Sequence, residues 1–352
     1  MTASKAKKAK TATEATASTK TTAPIAARGT RKKVSEFKVG DTVVARGTKA
    51  RLEIPVARLP TGSWLSIPVV AIHGAKAGPT LWLDAALHGD EINGMEVIHR
   101  VLEKLDPKKI SGRIIAVPVV NVFGFIQQAR YLPDRRDLNR HFPGSERGSL
   151  ASRLAHLFMQ EIVANCQYGL DLHTGSLHRT NLPQIRADLE NPETRRLAEA
   201  FGAPMMYRAG MIKGSLRAAA VKRGIHILTY EAGEPLRFDD EAVAVGTRGV
   251  LKVLDALGMR TLKRGERGRK RSIFEAEATH WLRAPKSGVF HRDVELGQKV
   301  SRGETLGTFS EPAGPSEKRL KSRYAGLVIG YTNNPLVYQG DAVVHVAVPK
   351  TS

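Results

Sequence analysis

Two histidines and two glutamates carry the chemistry open to this chain. His88 and Glu91 stand three residues apart in Leu87-His88-Gly89-Asp90-Glu91, at the end of an apolar run. His173 lies far downstream in Asp171-Leu172-His173-Thr174-Gly175, and Glu231 follows in Thr229-Tyr230-Glu231-Ala232-Gly233. Two imidazoles and a carboxylate suit zinc, which takes nitrogen and oxygen ligands tetrahedrally and in catalytic sites keeps a position for water. Cobalt or manganese is also compatible with this set. The i, i+3 spacing lets His88 and Glu91 reach one ion if a strand passes into a helix there, and Gly89 permits a sharp turn. The ion lowers the pKa of water towards ~7 and polarises a carbonyl oxygen. A separate carboxylate must then take the water proton and pass it to a leaving nitrogen, and Glu231 is the candidate. Asp171 and Asp84 are candidates to orient the imidazoles. We expect about one Zn2+ per chain.

Taken alone, His-x-x-Glu is an ordinary solvated pair, and eleven histidines make chance spacings common. The other nine, His73, His99, His141, His156, His178, His226, His280, His291 and His345, read as surface or satisfied core residues. His178 is the hardest to set aside, five residues past His173.

What raises the metal reading is the set of elements that must hold these residues. Residues 80–87 are almost continuously apolar, as in a strand buried on both faces of a parallel sheet, and His88 stands at its end. Residues 92–105 switch to helical spacing, with Pro107 just beyond. Strands are expected at 113–122, 168–172 and 225–230, and helices at 150–164, 192–201, 215–223 and 239–257. Short strands at 41–47, 51–58 and 64–74 precede them, and 130–142 reads as a loop. This alternation predicts an α/β sheet with helices on both faces. Ligands gather at the carboxyl ends of strands in such folds, and His88, His173 and Glu231 each fall just past a separate expected strand.

The rest of the chain divides by composition. Residues 1–35 are Ala, Thr, Lys and Ser with almost no large apolar side chain, so the expectation is a disordered basic tail. Residues 36–259 are expected to form the α/β domain that holds the candidate zinc site and its water chemistry, 260–272 a basic linker, and 273–352 a small all-β domain of short, glycine-rich strands. The last resembles barrel–sandwich hybrid domains of the lipoyl/biotinyl type, without the lysine at a hairpin tip that would carry a cofactor. The formal net charge of +21 is concentrated: residues 1–33 hold nine Lys/Arg against Glu14, and residues 260–271 hold seven against Glu266. Contact with nucleic acid or an anionic surface is one reading of the two stretches and a solvated tail and linker the other; for the tail solvation is favoured, because no aromatic side chain interleaves it for base stacking, although the tail leaves that partner open. No apolar run approaches the ~18 residues of a membrane span. The N-terminus shows no secretory pattern, and the lone Cys166 fits a reducing cytoplasm.

The loop makes the reading specific. It runs Arg130-Tyr131-Leu132-Pro133-Asp134-Arg135-Arg136-Asp137-Leu138-Asn139-Arg140-His141-Phe142-Pro143-Gly144. With His-Gly-Asp-Glu, Asp-Leu-His-Thr-Gly and Tyr-Glu-Ala-Gly in this order, residues 65–350 resemble the succinylglutamate desuccinylase/aspartoacylase family, relatives of the zinc carboxypeptidases. The resemblance implies a three-layer α/β/α domain with a mixed, largely parallel sheet plus the small β domain. It implies His88, Glu91 and His173 as zinc ligands and Glu231 as general base/acid. Arg130 would stabilise the oxyanion, and Asn139 and Arg140 would hold a substrate carboxylate. Arg135 and Arg136 read as solvated loop charge. The expected activity is cleavage of the amide bond of N-acyl amino acids by metal-activated water. A metallocarboxypeptidase or peptide amidase of the same superfamily is the alternative. The acyl group, the amino acid and the oligomeric state are not set by these residues.

Overall fold

The computed structural model describes residues 36–268, 272–314 and 316–350. The basic tail lies outside them, as do Arg269, Lys270 and Arg271 of the second basic cluster. Two short strands, β1 (Lys38–Val39) and β2 (Thr42–Val43), pair with each other ahead of the main sheet. There β3 (Thr48–Arg58) and β4 (Trp64–His73) are joined by a turn at residues 59–63, which makes them antiparallel neighbours. β5 (Lys76–Ala85) leads into α1 (Asn93–Glu103), then β6 (Ser111–Val117), the short α2 (Val122–Ile126) and α3 (Leu150–Glu161). β7 (Tyr168–His173), β8 (Arg179–Ala187), α4 (Pro192–Phe201), β9 (Met205–Arg208), α5 (Leu216–Lys222), β10 (His226–Gly233) and α6 (Asp240–Ala256) follow.

Strands β6, β5, β7 and β10 lie side by side and parallel. Alternate residues of β5 serve two cores. Leu81 and Leu83 pack with α1, α4 and α6 on one face, and Trp82 packs with α3 and α5 on the other. Each core is fully buried at its centre, so burial on both faces is what made these strands continuously apolar. Trp82 faces Gly169 across the β5–β7 ladder, and a Cβ there would lie 2.2 Å from the indole.

The expected largely parallel sheet is corrected. The twelve-stranded sheet runs β13-β16-β18-β11-β9-β8-β10-β7-β5-β6-β4-β3, with β16 also paired to β8. Seven of its pairings are antiparallel and five parallel. Parallel pairing continues from the central strands only through β8–β9, joined by the α4 crossover, and β9–β11, whereas the hairpin-joined flank β3-β4 and the C-terminal strands β13, β16 and β18 pair antiparallel. β8 and β9, unassigned in the sequence, insert between β10 and the C-terminal strands.

Among the described residues after 272 every element is a strand. These are β11 (Phe274–Arg283), β12 (Gly288–Arg292), β13 (Lys299–Val300), β14 (Thr305–Ser310), β15 (Ser316–Lys321), β16 (Gly326–Thr332), β17 (Leu336–Val337) and β18 (Ala342–Pro349). β12, β14, β15 and β17 form a separate four-stranded sheet, whereas β11, β13, β16 and β18 extend the large one. The C-terminal strands are therefore continuous with the sheet that bears the site.

Candidate functional site

β5 ends at Ala85, and the chain leaves the sheet through Ala86, which sits at a left-handed φ of 47°. That conformation is costly for a residue with a Cβ and marks a constrained turn. His88 follows, its carbonyl accepts from Glu91 N at 3.1 Å, and α1 begins two residues later. Gly89 answers to a different need from the one expected. Its φ is unexceptional, but a Cβ would lie 2.0 Å from the backbone of Gly124, so the requirement is close approach. His173 is the last residue of β7. Glu231 lies inside β10, two residues short of its end, opposite His173 in the parallel ladder. Register brings these residues together.

His88, Glu91 and His173 are all buried, and one donor atom from each lies within 4.8 Å of the others. Glu91 is the hub. Its Oε1 is 2.8 Å from His88 Nδ1 and its Oε2 is 2.7 Å from His173 Nδ1. The backbone N of Thr174 donates to Oε2 at 3.1 Å. Each imidazole has a second carboxylate at its other nitrogen, Asp137 at 3.1 Å from His88 Nε2 and Asp171 at 2.8 Å from His173 Nε2. Asp171 is thus where an orienting carboxylate was expected. Asp84 makes no hydrogen bond or ion pair to an imidazole among the described residues; it accepts from Trp82 Nε1 at 2.6 Å. Burial, then the Asp171 charge, push its carboxyl well above the usual range.

Burial opposes charge on both rings. At His88 it is outweighed by Glu91 and Asp137, and at His173 by Asp171 and Glu91, so both sit above the ordinary histidine value. Burial likewise opposes ionisation of Glu91, but the two imidazoles hold its carboxyl well below the usual range. The cluster therefore concentrates negative charge around two rings. His88 Nδ1 is buried and makes no hydrogen bond of good geometry among the described residues. Two nitrogens and a carboxylate oxygen gathered in this way, each ring backed by a carboxylate, fit a zinc ion.

Arg130 is 14% exposed at its side chain and bridges Glu91 Oε1 (2.9 Å) and Asp137 Oδ2 (3.0 Å). Asn139 accepts from the backbone N of Leu216 at the start of α5, at 2.8 Å. Arg140 donates to the Asn139 carbonyl at 2.7 Å and is otherwise exposed. Arg135 and Arg136 are exposed, as expected of solvated loop charge. All seven candidate residues line one cavity of about 700 Å³.

Other residues lining it escaped sequence reasoning. Asp137, which contacts His88 and Arg130 without lining the cavity, sits in the quoted loop and has no role assigned from the sequence. β8 supplies Arg179, Asn181, Gln184 and Arg186 to the cavity. Polar residues and Pro183 hid this strand, although Gln184 and Arg186 alternate with buried Ile185 and Ala187. Asn181 and Arg186 both donate to the Glu231 carboxylate. β11 and β18 contribute Trp281 and His345, stacked at 4.4 Å, with Arg179 over the indole at 4.9 Å. Burial first, then Arg186, pushes His345 down to about 3, so it is neutral in ordinary buffers. Arg140, Arg179 and Arg217 hold no carboxylate within ion-pair distance among the described residues, leaving the cavity cationic. His178 is exposed and outside it.

Residues 77–257 match the family model described as the succinylglutamate desuccinylase/aspartoacylase catalytic domain. The chain belongs to this family. A succinylglutamate desuccinylase/aspartoacylase structure from Rhodobacter sphaeroides is 30% identical, with a TM-score of 0.75 over 86% of this chain and 96% of that one. The product-bound ectoine utilization protein EutE (DoeB) from Ruegeria pomeroyi is 25% identical, with a TM-score of 0.75 over 86% and 94%. The N-alpha-acetyl-L-2,4-diaminobutyric acid deacetylase of Halomonas elongata is 26% identical over 267 residues, 72% of this chain and 77% of that protein. The similarity to solved structures thus extends through the C-terminal strands that wall the cavity. No helix among the described residues is long and apolar enough to cross a membrane.

Proposed function

We propose that this protein is a zinc-dependent hydrolase that cleaves the amide bond of N-acyl amino acids. The observation that carries the reading is the buried convergence of His88, Glu91 and His173 on a cavity that also holds Glu231. His88, Glu91 and His173 would hold the ion. Once bound, zinc lowers the pKa of water towards about 7 and polarises a carbonyl oxygen. Glu231 accepts the proton of the attacking water on its carboxylate and returns it to the amide nitrogen as the C–N bond breaks. The water oxygen ends in the released acid, and the amine leaves as a free amino acid. Arg130, beside the cluster, supplies positive charge where the oxyanion develops. Arg140 and Asn139 anchor the substrate carboxylate, Arg140 with a guanidinium that has no carboxylate within ion-pair distance among the described residues.

A carboxypeptidase or peptide amidase remains the second reading. Trp281, Thr279 and His345 wall the cavity from the C-terminal strands, which favours a small acyl amino acid over an extended peptide. The test is metal analysis followed by panels of N-acyl amino acids and peptides. We expect about one zinc per chain, lost in His88→Ala, and turnover of the acyl amino acids. Glu231→Gln should keep the metal and lose turnover by about a hundred-fold or more. A chain that binds no metal, or a Glu231→Gln variant as active as the parent, refutes the reading.

A further inference from the structure

Glu231 is held by a device that no motif marks. Asn181 donates to its Oε2 at 3.1 Å, and Arg186 Nη1 donates to its Oε1. Both donors belong to β8, the antiparallel neighbour of β10. Glu231 stands opposite Gln184, so Arg186, two residues along, shares its face of the sheet. Asn181 is three residues the other way and in a regular strand would point to the opposite face. The register changes here: Gly233 pairs with Asn181, so β8 uses three steps where β10 uses two. A β-bulge of this kind adds one residue and re-aims the side chains beyond it. It turns Asn181 to the face of Gln184, Arg186 and Glu231, and all four line the cavity. The same segment of β8 changes partners, with Asn181 also opposite Gly330 on β16.

From this geometry we infer that Arg186 and Asn181 are positioning residues that fix the Glu231 carboxylate, one donor to each oxygen, for proton transfer. The inference rests on the reading of Glu231 as the proton-transfer group. A free glutamate side chain samples several rotamers, and a misplacement of about 1 Å can cost on the order of a hundred-fold in rate. Arg186 is 25% exposed at its side chain, and its only carboxylate partner among the described residues is Glu231. Its Nε is buried without a hydrogen-bond partner among the described residues. That atom suggests the competing role, binding a substrate carboxylate directly, which kinetics separates.

The experiment uses the full chain loaded with zinc and the N-acyl amino acid the parent hydrolyses best. Arg186→Met should lower kcat by about 10- to 100-fold, with KM within about three-fold and zinc content unchanged. Arg186→Lys should recover part of the loss, and Asn181→Ala should lower kcat by about three- to ten-fold. Because the donors act through Glu231, Arg186→Met should cost little more in a Glu231→Gln background. A raised KM with retained kcat would make Arg186 a substrate-binding residue and overturn the inference. So would a full, additive loss in the Glu231→Gln background. If Arg186→Met does not fold, Asn181→Ala decides: reduced kcat at constant KM supports the clamp, and unchanged kcat overturns it. Undiminished turnover in Glu231→Gln alone refutes the assignment of Glu231, a failure distinguishable from failure of the clamp.

Discussion

Replacing Asp137 with asparagine tests whether the carboxylates behind the cluster shape its affinity for metal. Asp137 Oδ1 is 3.1 Å from His88 Nε2 and accepts from the backbone N of Asn139 at 2.9 Å. Its Oδ2 accepts from Arg130 Nη2 at 3.0 Å. Burial disfavours the charged form, but the His88 hydrogen bond and the His88 and Arg130 charges hold the carboxyl well below the usual range. Asparagine keeps the shape and can still accept, but it carries no charge. Hydrogen bonds to charged groups contribute roughly 1.5–3 kcal/mol against about 0.5–1.5 for neutral ones. Downgrading the contacts to His88 and Arg130 should cost about 1–3 kcal/mol, and removal of such orienting partners typically lowers metal affinity or activity about 10- to 100-fold. Zinc dissociation constants from chelator competition measure this directly, with thermal unfolding as a check on the fold. Asp171→Asn, which loses the 2.8 Å contact to His173 Nε2, should behave alike. Wild-type zinc affinity in both variants would refute the view that these carboxylates set ring orientation and basicity.

Two further outcomes follow from charge. Three cavity arginines lack a carboxylate partner among the described residues, so N-acyl amino acids with an anionic side chain should exceed cationic ones, such as N-acetyl-diaminobutyrate, by about ten-fold or more in kcat/KM; equal values would refute this. Glu275 pairs with both Nη atoms of Arg195 (2.9 and 3.0 Å) and with Lys350 (3.0 Å), and chiefly the Arg195 hydrogen bonds push its carboxyl down to about 2. The folded-state value lies below the ordinary 4.5, so the stabilisation is complete above that pH and fades as pH falls towards 2. Solvent screening limits it to about 1 kcal/mol. Glu275→Gln should therefore unfold a few degrees lower at about pH 7, with the gap narrowing in acid. A gap that is the same at about pH 3 would count against the linkage.

The sequence by itself determined the centre of the molecule. Strands buried on both faces must be apolar throughout, so β5, β6, β7 and β10 were legible, as were the helices that cover them. The grouping of His88, Glu91 and His173 was legible too, because residues at the carboxyl ends of adjacent parallel strands converge. The tertiary structure decided the rest. The antiparallel flanks depend on which strand finds which neighbour, and the short β9 and polar β8 carry little local signal. Asp137 acquires its contacts only when the loop folds back on His88; Arg186 meets Glu231, 45 residues away, only through the β8–β10 register, and Asn181 meets it only through the bulge beyond. Side chains that line a polar cavity break the apolar alternation by which strands are read, so the residues surrounding the chemistry are those that local sequence marks least.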